Sequence, residues 1–375
     1  MIYLDCAATS MQKPKAVYEA VQRAMRTMAG PGRGSYGAAM RAAETAFLCR
    51  SELAELFHLS EPDRVVFTFN ATHALNIAIY DLVSAGDKVV ASGYEHNSVM
   101  RPLYQVGAEV CVIRSPLFDN DALLTGFDEQ LHGAKAAVCT AMSNVFGYKL
   151  PIEELADLCR ARNVPLVIDA SQLAGSGELD FEKLGAVYMA MPGHKGLLGP
   201  QGTGVLICGR VPKPLISGGS GSESLRMEMP DFLPDRIEAG THNIPGIAGL
   251  LEGVRAVRRM GVTEIGQRER KMMERFQTAI AGIDGMETFY TRDQSKQGAV
   301  LSMRHETIDS QVLTEALGDA GIAVRGGLHC APAAHKTAGT LESGTVRFSF
   351  SPFLSDREIK KAAEGLKLCV NKLKT

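Results

Sequence analysis

The chain has 375 residues, of which 45% are hydrophobic and 22% charged, and its formal net charge at pH 7 is −2. This composition is ordinary for a globular protein, and no block of lysine and arginine stands out, so binding to nucleic acid or to an anionic membrane is not indicated. The length exceeds what a single hydrophobic core usually supports, which favours two domains.

Neither a targeting segment nor a metal site is predicted. The N-terminal stretch MIYLDCAATS lacks the features of a signal peptide, and no apolar run approaches the roughly 20 residues of a membrane helix. We therefore expect a cytoplasmic protein whose eight cysteines stay reduced. The cysteines show no C-x-x-C pair and the nine histidines no H-x-x-x-H, so no metal ligands are expected.

From about residue 65 to residue 208, short apolar runs alternate with helical patterns. Apolar runs of four to eight residues without alternation are typical of strands buried on both faces, and intervening helices imply mostly parallel pairing. This pattern predicts a doubly wound α/β domain. Its predicted strands are VVFTF (65–69), KVVAS (88–92), EVCVI (109–113), AAVCTA (136–141), PLVIDA (165–170), VYMAM (187–191) and GVLIC (204–208).

After EAGTHN (238–243) the pattern changes to long helices near 246–260 and 262–283, followed by alternating strands and helices. This favours a smaller α+β domain. We predict a large domain over 13–245 and a small one over 246–375, joined by the N-terminal segment 1–12. The predicted strands of the small domain are METFY, AVLSMR, IAVRG and TVRFSFS, and a capping box, SDRE (355–358), opens the last helix.

Polar residues that follow the buried strands point to chemistry, because ligands of open α/β sheets bind at the carboxyl ends of strands. Asp169 ends a buried strand, where an unpaired carboxylate would be unfavourable. His194 and Lys195 follow the next strand, and Thr72 lies in a strand-to-helix turn whose free N–H groups suit a phosphate. Asn144 and His96 follow two further strands. Pyridoxal phosphate needs such a set: a lysine, an acid for its ring nitrogen, and donors for its oxygens.

These motifs resemble the fold-type I pyridoxal-phosphate enzymes of the class V aminotransferase superfamily, from YLDCAAT near the N-terminus to the TVRFSFS strand. The C-terminal segment RGGLHCAPAAHK resembles the cysteine desulfurase/selenocysteine lyase family in particular. The resemblance implies that Lys195 holds the cofactor covalently, that Asp169 pairs with the pyridine nitrogen and that His96 stacks on the ring. Gln172 and Asn144 would contact its phenolate side or the bound substrate.

The resemblance also implies a phosphate site and a dimer. Thr72 and His194 would bind the phosphate, and Thr241 of the EAGTHN segment would reach the phosphate of the other subunit in a homodimer. Many relatives have a serine where Pro192 stands and a threonine where Ala71 stands. Two phosphate donors are therefore missing, and Arg33 or the serines of 217–224 are candidates to replace them.

The reaction that the resemblance implies converts L-cysteine, or L-selenocysteine, to L-alanine. Arg347 would hold the substrate carboxylate with Arg325 nearby, and Cys330 would be the nucleophile that takes up the sulfur as a persulfide. The preference for sulfur or selenium stays open. So does the acceptor, for which a protein thiol is one option.

Less specific interpretations of these residues remain at this stage. Asp169 could cap a following helix, Arg347 could pair with a surface acid, Thr241 could cap the helix near 246, and Cys330 could be an unreactive thiol. Two rival functions also remain. One is another class V pyridoxal enzyme, such as an aminotransferase or a β-lyase, in which Cys330 is idle. The other is a scaffold protein without turnover.

Overall fold

The structure is a computed structural model that describes residues 1–31 and 34–374. In chain order its strands are β1 (Ile2–Tyr3), β2 (Val65–Thr68), β3 (Lys88–Ser92), β4 (Glu109–Ile113), β5 (Ala136–Thr140), β6 (Leu166–Asp169), β7 (Tyr188–Pro192), β8 (Gly204–Cys208), β9 (Met286–Phe289), β10 (Val300–His305), β11 (Ile322–Ala323), β12 (Arg325–Gly327) and β13 (Thr345–Ser349). The helices are α1 (Lys15–Thr27), α2 (Gly37–Leu56), α3 (Ala71–Leu82), α4 (Asn97–Gln105), α5 (Asn120–Gln130), α6 (Ile152–Ala161), α7 (Phe181–Leu184), α8 (Ile244–Met260), α9 (Val262–Ile280), α10 (Ser310–Asp319), α11 (Pro332–Thr337) and α12 (Asp356–Lys374).

Seven strands form the central sheet in the order β2-β8-β7-β6-β5-β3-β4. The pairings of β7 with β6, β6 with β5, β5 with β3, and β3 with β4 are parallel, as predicted. β8 is antiparallel to both of its neighbours, because the chain returns from β7 through a loop rather than through a crossover helix.

Helices cover both faces of this sheet, which confirms the doubly wound architecture. Side chains of α3 and α4 pack on one face, and side chains of α2, α5, α6 and α8 pack on the other. All five residues of β5 are buried, which explains why its sequence lacks a polar alternation. The carboxyl ends of β3, β5, β6 and β7 therefore lie together at one edge.

The C-terminal part contains a four-stranded antiparallel sheet in the order β12-β13-β10-β9. The prediction of one strand at IAVRG was wrong, because the segment divides between two sheets. β11 pairs in parallel with the N-terminal strand β1, whereas β12 pairs with β13. The apolar pattern of the segment cannot reveal that part of it pairs with β1, which is more than 300 residues away in the sequence. The paired residues include Ile2 and Ile322.

Packing separates the cores on the two faces of the large sheet from a core in the C-terminal part, which we call the second core. Ile247, Leu250 and Val254 of α8 belong to the core of the large sheet, and α8 packs against α1 and α2. The second core combines residues of α9, the antiparallel sheet and α12 with Leu4 of the N-terminal segment. This packing favours a domain boundary between α8 and α9, near Gly261, over the predicted one at 246.

The capping box of the last helix is confirmed. The Ser355 N–H donates to Glu358 Oε2 at 2.9 Å, and the Glu358 N–H donates to Ser355 Oγ at 3.4 Å. The apolar face that follows, with Ile359 and Leu366, is buried in the second core. Among the helices of the described residues, none is long and apolar enough to cross a bilayer.

Candidate active site

An open cleft of about 660 Å³ of empty volume lies at the carboxyl ends of the parallel strands. It brings together most of the residues that the sequence singles out for a cofactor. These are Thr72, His96, Asn144, Asp169, Gln172, His194 and Lys195. They stand at or after the ends of five strands, β2, β3, β5, β6 and β7, so the sheet itself gathers side chains that are far apart in sequence.

An acid, Asp169, and a lysine, Lys195, line this cleft together. Asp169 is the last residue of β6, is 3% exposed, and accepts a hydrogen bond from the Ser171 N–H at 2.9 Å. No helix begins at this turn, so the helix-cap interpretation fails. Burial lowers the pKa of the partly buried Lys195 amine to about 8, although the Asp169 charge acts in the opposite direction. Lys195 therefore reaches its neutral, nucleophilic form far more readily than a surface lysine.

His96 is held by the start of α4. Its Nδ1 accepts from the Ser98 N–H at 3.0 Å and lies 2.9 Å from Ser98 Oγ. Burial lowers the pKa of His96, which keeps the imidazole neutral at physiological pH. The ring orientation is thus fixed by the backbone of α4. A neutral, oriented ring suits stacking on a planar cofactor.

Ser98 was not predicted as a site residue. It lies in the cleft with Ala71 and Pro192, the two positions that lack the expected phosphate donors. Its hydroxyl is 2.7 Å from Thr72 Oγ1, and both side chains line the cleft. The two hydroxyls stand beside the start of α3, where backbone N–H groups favour an anion. Of the candidate substitutes, none of residues 217–224 lines this cleft within the described chain, and Arg33 lies outside the described residues.

The N-terminal segment holds two of the predicted residues. Gln172 Nε2 donates to the Ala7 carbonyl at 3.0 Å, and His194 Nδ1 lies 3.0 Å from Thr9 Oγ1. Burial lowers the pKa of His194 to about 4, so this ring is neutral as well. The N-terminal segment, which pairs with β11 through β1, therefore also contacts the cleft.

Cys330 is exposed and lies in a strained turn. His329 and Cys330 both have left-handed backbone angles, with φ of 51° and 56°. Asn144 Nδ2 donates to the His329 carbonyl at 2.8 Å, and the Asn97 N–H donates to the Cys330 carbonyl at 2.8 Å. The turn that contains Cys330 is thereby hydrogen-bonded to Asn144, which lines the cleft, and to Asn97, which follows His96 in the chain.

Arg347 is not paired with a surface acid, as one interpretation allowed. It is 2% exposed, and its Nη2 donates to Oδ1 of the buried Asp5 at 2.8 Å. Arg325, on β12, donates to Oδ2 of the same carboxylate. Asp5 was not predicted; an acid within the otherwise uncharged N-terminal stretch MIYLDCAA was the only local signal.

Thr241 lies apart from these residues in the described chain. It is exposed and lines a different cleft, beside Glu238, which forms an ion pair with Arg50 and whose Oε2 lies 3.0 Å from His242 Nε2. The helix-cap interpretation fails, because Asn243 Oδ1 accepts from the Gly246 N–H and thereby caps α8.

Glu95, next to His96, is a buried acid that was also not predicted. Its Oε1 accepts from the Ser92 hydroxyl and from the Thr140 N–H, the latter at 2.7 Å, which ties the His96 loop to β5. Its Oε2 is buried without a hydrogen-bond partner. Burial raises the pKa of Glu95 to about 8, so the carboxyl group stays protonated at neutral pH.

We expect the unfolding free energy of Glu95→Gln, relative to that of wild type, to be larger at alkaline pH than at acidic pH. Glutamate in an unfolded chain ionises near pH 4.5, whereas folded Glu95 keeps its proton to about pH 8. Between these values the folded state binds more protons, so this group lowers the unfolding free energy by about 1.4 kcal/mol per pH unit as pH rises. Glutamine does not titrate and removes that loss.

Urea unfolding of wild type and Glu95→Gln at about pH 5 and about pH 8 measures the difference. The variant should gain a few kcal/mol relative to wild type between the two conditions. Glu129→Gln, at an exposed position, is the matched control and should show no such gain. A constant difference between Glu95→Gln and wild type at both pH values would show that Glu95 is already ionised in the fold.

Comparison with known proteins shows which family the chain belongs to. The family model described as Aminotransferase class-V matches residues 2–361. A probable cysteine desulfurase of Methanothermobacter thermautotrophicus is 31% identical over 97% of this chain and 94% of its own length. A probable cysteine desulfurase of Pyrococcus abyssi is 30% identical over 100% of this chain and 96% of its own.

The solved structure of a cysteine desulfurase from Thermococcus onnurineus NA1 superposes with a TM-score of 0.89 at 29% identity, over 99% of this chain and 95% of that one. The sequence similarity and the structural similarity both extend over nearly the whole chain. The chain therefore belongs to the class-V aminotransferase family and, within it, to the cysteine desulfurases.

Proposed function

We propose that this protein is a pyridoxal-phosphate enzyme that removes sulfur from L-cysteine, or selenium from L-selenocysteine, to give L-alanine. The observation that carries the proposal is one cleft. An amine with a lowered pKa, a buried carboxylate and a neutral imidazole line it, and an exposed thiol turn is hydrogen-bonded to its wall. The relatives that are named probable cysteine desulfurases also support the proposal.

The cleft residues fit pyridoxal phosphate in charge and chemistry. Lys195 would hold the cofactor covalently, Asp169 would pair with its ring nitrogen, and His96 would stack on the ring. Asn144 and Gln172 would contact its phenolate side. The phosphate would lie at the start of α3, near Thr72, Ser98 and His194. When bound, this cofactor supplies an electron sink for negative charge that develops on the substrate carbon.

The chain's own residues would bind the substrate and transfer its sulfur. Arg347, with Arg325 nearby, would bind the carboxylate, and Lys195 would accept the Cα proton. Cys330 Sγ would attack the substrate sulfur, so that an S–S bond forms as the C–S bond breaks. The bonding pair stays on carbon, which gains a proton to become alanine, and Cys330 carries the sulfur as a persulfide. The exposed turn leaves this sulfur open to a thiol acceptor, such as a protein thiol.

We further propose a cytoplasmic homodimer in which Thr241 binds the phosphate of the partner subunit. The exposed position of Thr241, away from its own cleft, supports this arrangement. So does a row of exposed large apolar side chains on and near α1 and α2, which a second copy would cover. They are Tyr18, Met25, Tyr36, Met40 and Phe47.

The function is tested with purified protein, pyridoxal phosphate, L-cysteine and a reducing thiol. We expect alanine and sulfide in equal amounts, because each turnover releases one sulfur atom per alanine. Selenocysteine in a parallel assay determines which element is preferred. Amino transfer to an added keto acid without sulfide would instead identify an aminotransferase, and no product from either assay would favour the scaffold interpretation.

A further inference from the structure

Asp5 forms a buried bridge between the two arginines of the substrate site. Its Oδ1 accepts from Arg347 Nη2 at 2.8 Å, and its Oδ2 accepts from Arg325 Nε at 3.2 Å and from Arg325 Nη2 at 2.9 Å. Asp5 is 8% exposed and Arg347 2% exposed. Charge-assisted hydrogen bonds in such surroundings are short and strong, and they restrict the orientation of both partners.

Two of the three guanidinium nitrogens of Arg347 have hydrogen-bond partners, and the third has none among the described residues. Its Nη1 donates to the Asn144 carbonyl at 3.0 Å, and its Nη2 is bound to Asp5. Its Nε is buried and has no hydrogen-bond partner. A buried cationic donor without an acceptor is unfavourable, so this N–H is explained by an acceptor that arrives with a ligand. A carboxylate, which accepts in the plane of a guanidinium, fits that requirement.

Asp5 also separates two like charges. Burial lowers the pKa of Arg347 first, the nearby Arg325 lowers it further, and Asp5 opposes both effects. Without the carboxylate, the two guanidinium groups would repel each other and Arg347 would lose the partner of its Nη2. The free Nε–H would then no longer be held in one place.

We propose that Asp5 is a positioning residue that orients Arg347 for the α-carboxylate of the substrate. This inference rests on the proposed function and adds the residue that sets the affinity for the carboxylate. It also gives the N-terminal segment a role, because a residue next to β1 determines the geometry of an arginine on β13.

Asp5→Asn removes the charge and keeps the shape of the side chain. We expect the KM for L-cysteine to rise by about tenfold, the effect of losing one charge-assisted hydrogen bond, with kcat changed less than about twofold. Binding of L-alanine, measured without turnover by calorimetry, should weaken by the same factor. Binding of cysteamine, which lacks the carboxylate, should be equal in variant and wild type.

Leu4→Ala is the matched control, because Leu4 is fully buried in the second core and takes no part in the hydrogen bonds of either arginine. It should lower the melting temperature and leave L-alanine affinity unchanged. Unaltered L-alanine binding in Asp5→Asn, an equal loss of cysteamine binding, or an equal loss of L-alanine binding in Leu4→Ala would overturn the proposal. These readouts need no sulfur transfer, so they are independent of whether Cys330 is the nucleophile.

Discussion

Replacement of Lys195 by alanine should abolish turnover, with kcat for alanine formation falling by about 10²- to 10⁴-fold. Burial holds the pKa of the Lys195 amine at about 8, beside the buried carboxylate of Asp169. The amine has two tasks in the proposed reaction, since it holds the cofactor and accepts the Cα proton. No other lysine lines this cleft in the described chain.

The loss should have a spectroscopic counterpart. Wild type incubated with pyridoxal phosphate and then treated with borohydride should retain the cofactor, covalently attached to the peptide that contains Lys195. Lys195→Ala should retain none after dialysis. Lys149→Ala is the matched control, because burial also lowers the pKa of Lys149 but this lysine lines other clefts. Cofactor attachment to Lys195→Ala at the wild-type level would refute the assignment.

Replacement of Cys330 by serine should reduce alanine formation from L-cysteine by at least about 10³-fold, because a hydroxyl does not accept sulfur and the C–S bond loses its nucleophile. Cofactor binding should be unchanged, since Cys330 does not line the cleft of Lys195. The two hydrogen bonds that fasten the turn involve backbone carbonyls, so the substitution leaves them in place.

Cys111→Ser is the control for the loss of a thiol, because Cys111 is partly exposed on β4 and does not line the cleft. It should retain wild-type activity. Full alanine and sulfide production by Cys330→Ser would remove the thiol from the mechanism, whereas sulfide with pyruvate in place of alanine would favour a β-lyase. Failure of Cys330→Ser on cysteine alone, with activity on selenocysteine retained, would confine its role to sulfur.

The large sheet was predictable because most of its strands are buried on both faces. Residues 88–92 and 204–208 are strands with the predicted bounds, and their apolar runs carry that information locally. The edge strand 109–113 also has the predicted bounds, although only Ile113 in it is buried. Asp169 and Lys195 could be singled out for the same reason, since a polar residue that directly follows such a run lies at the ligand-binding edge.

The residues that orient the site were not predictable, since their partners are distant in sequence. Asp5 lies 342 residues from Arg347, and Ser98 lies 26 residues from Thr72. Glu95 looks like a surface acid in the sequence, and only the folded sheet buries it against Thr140. The division of 322–326 between two sheets has the same origin, because pairing with β1 is a long-range contact.

The most direct test of the central claim, that Cys330 takes the substrate sulfur, is peptide mass spectrometry. Holoenzyme is incubated with L-cysteine in the absence of reductant, quenched with an alkylating agent and digested. The account predicts that the peptide containing Cys330 gains the mass of one sulfur atom in the amount of alanine formed in the first turnover. Alanine formed in that amount while Cys330 carries no added sulfur would contradict it.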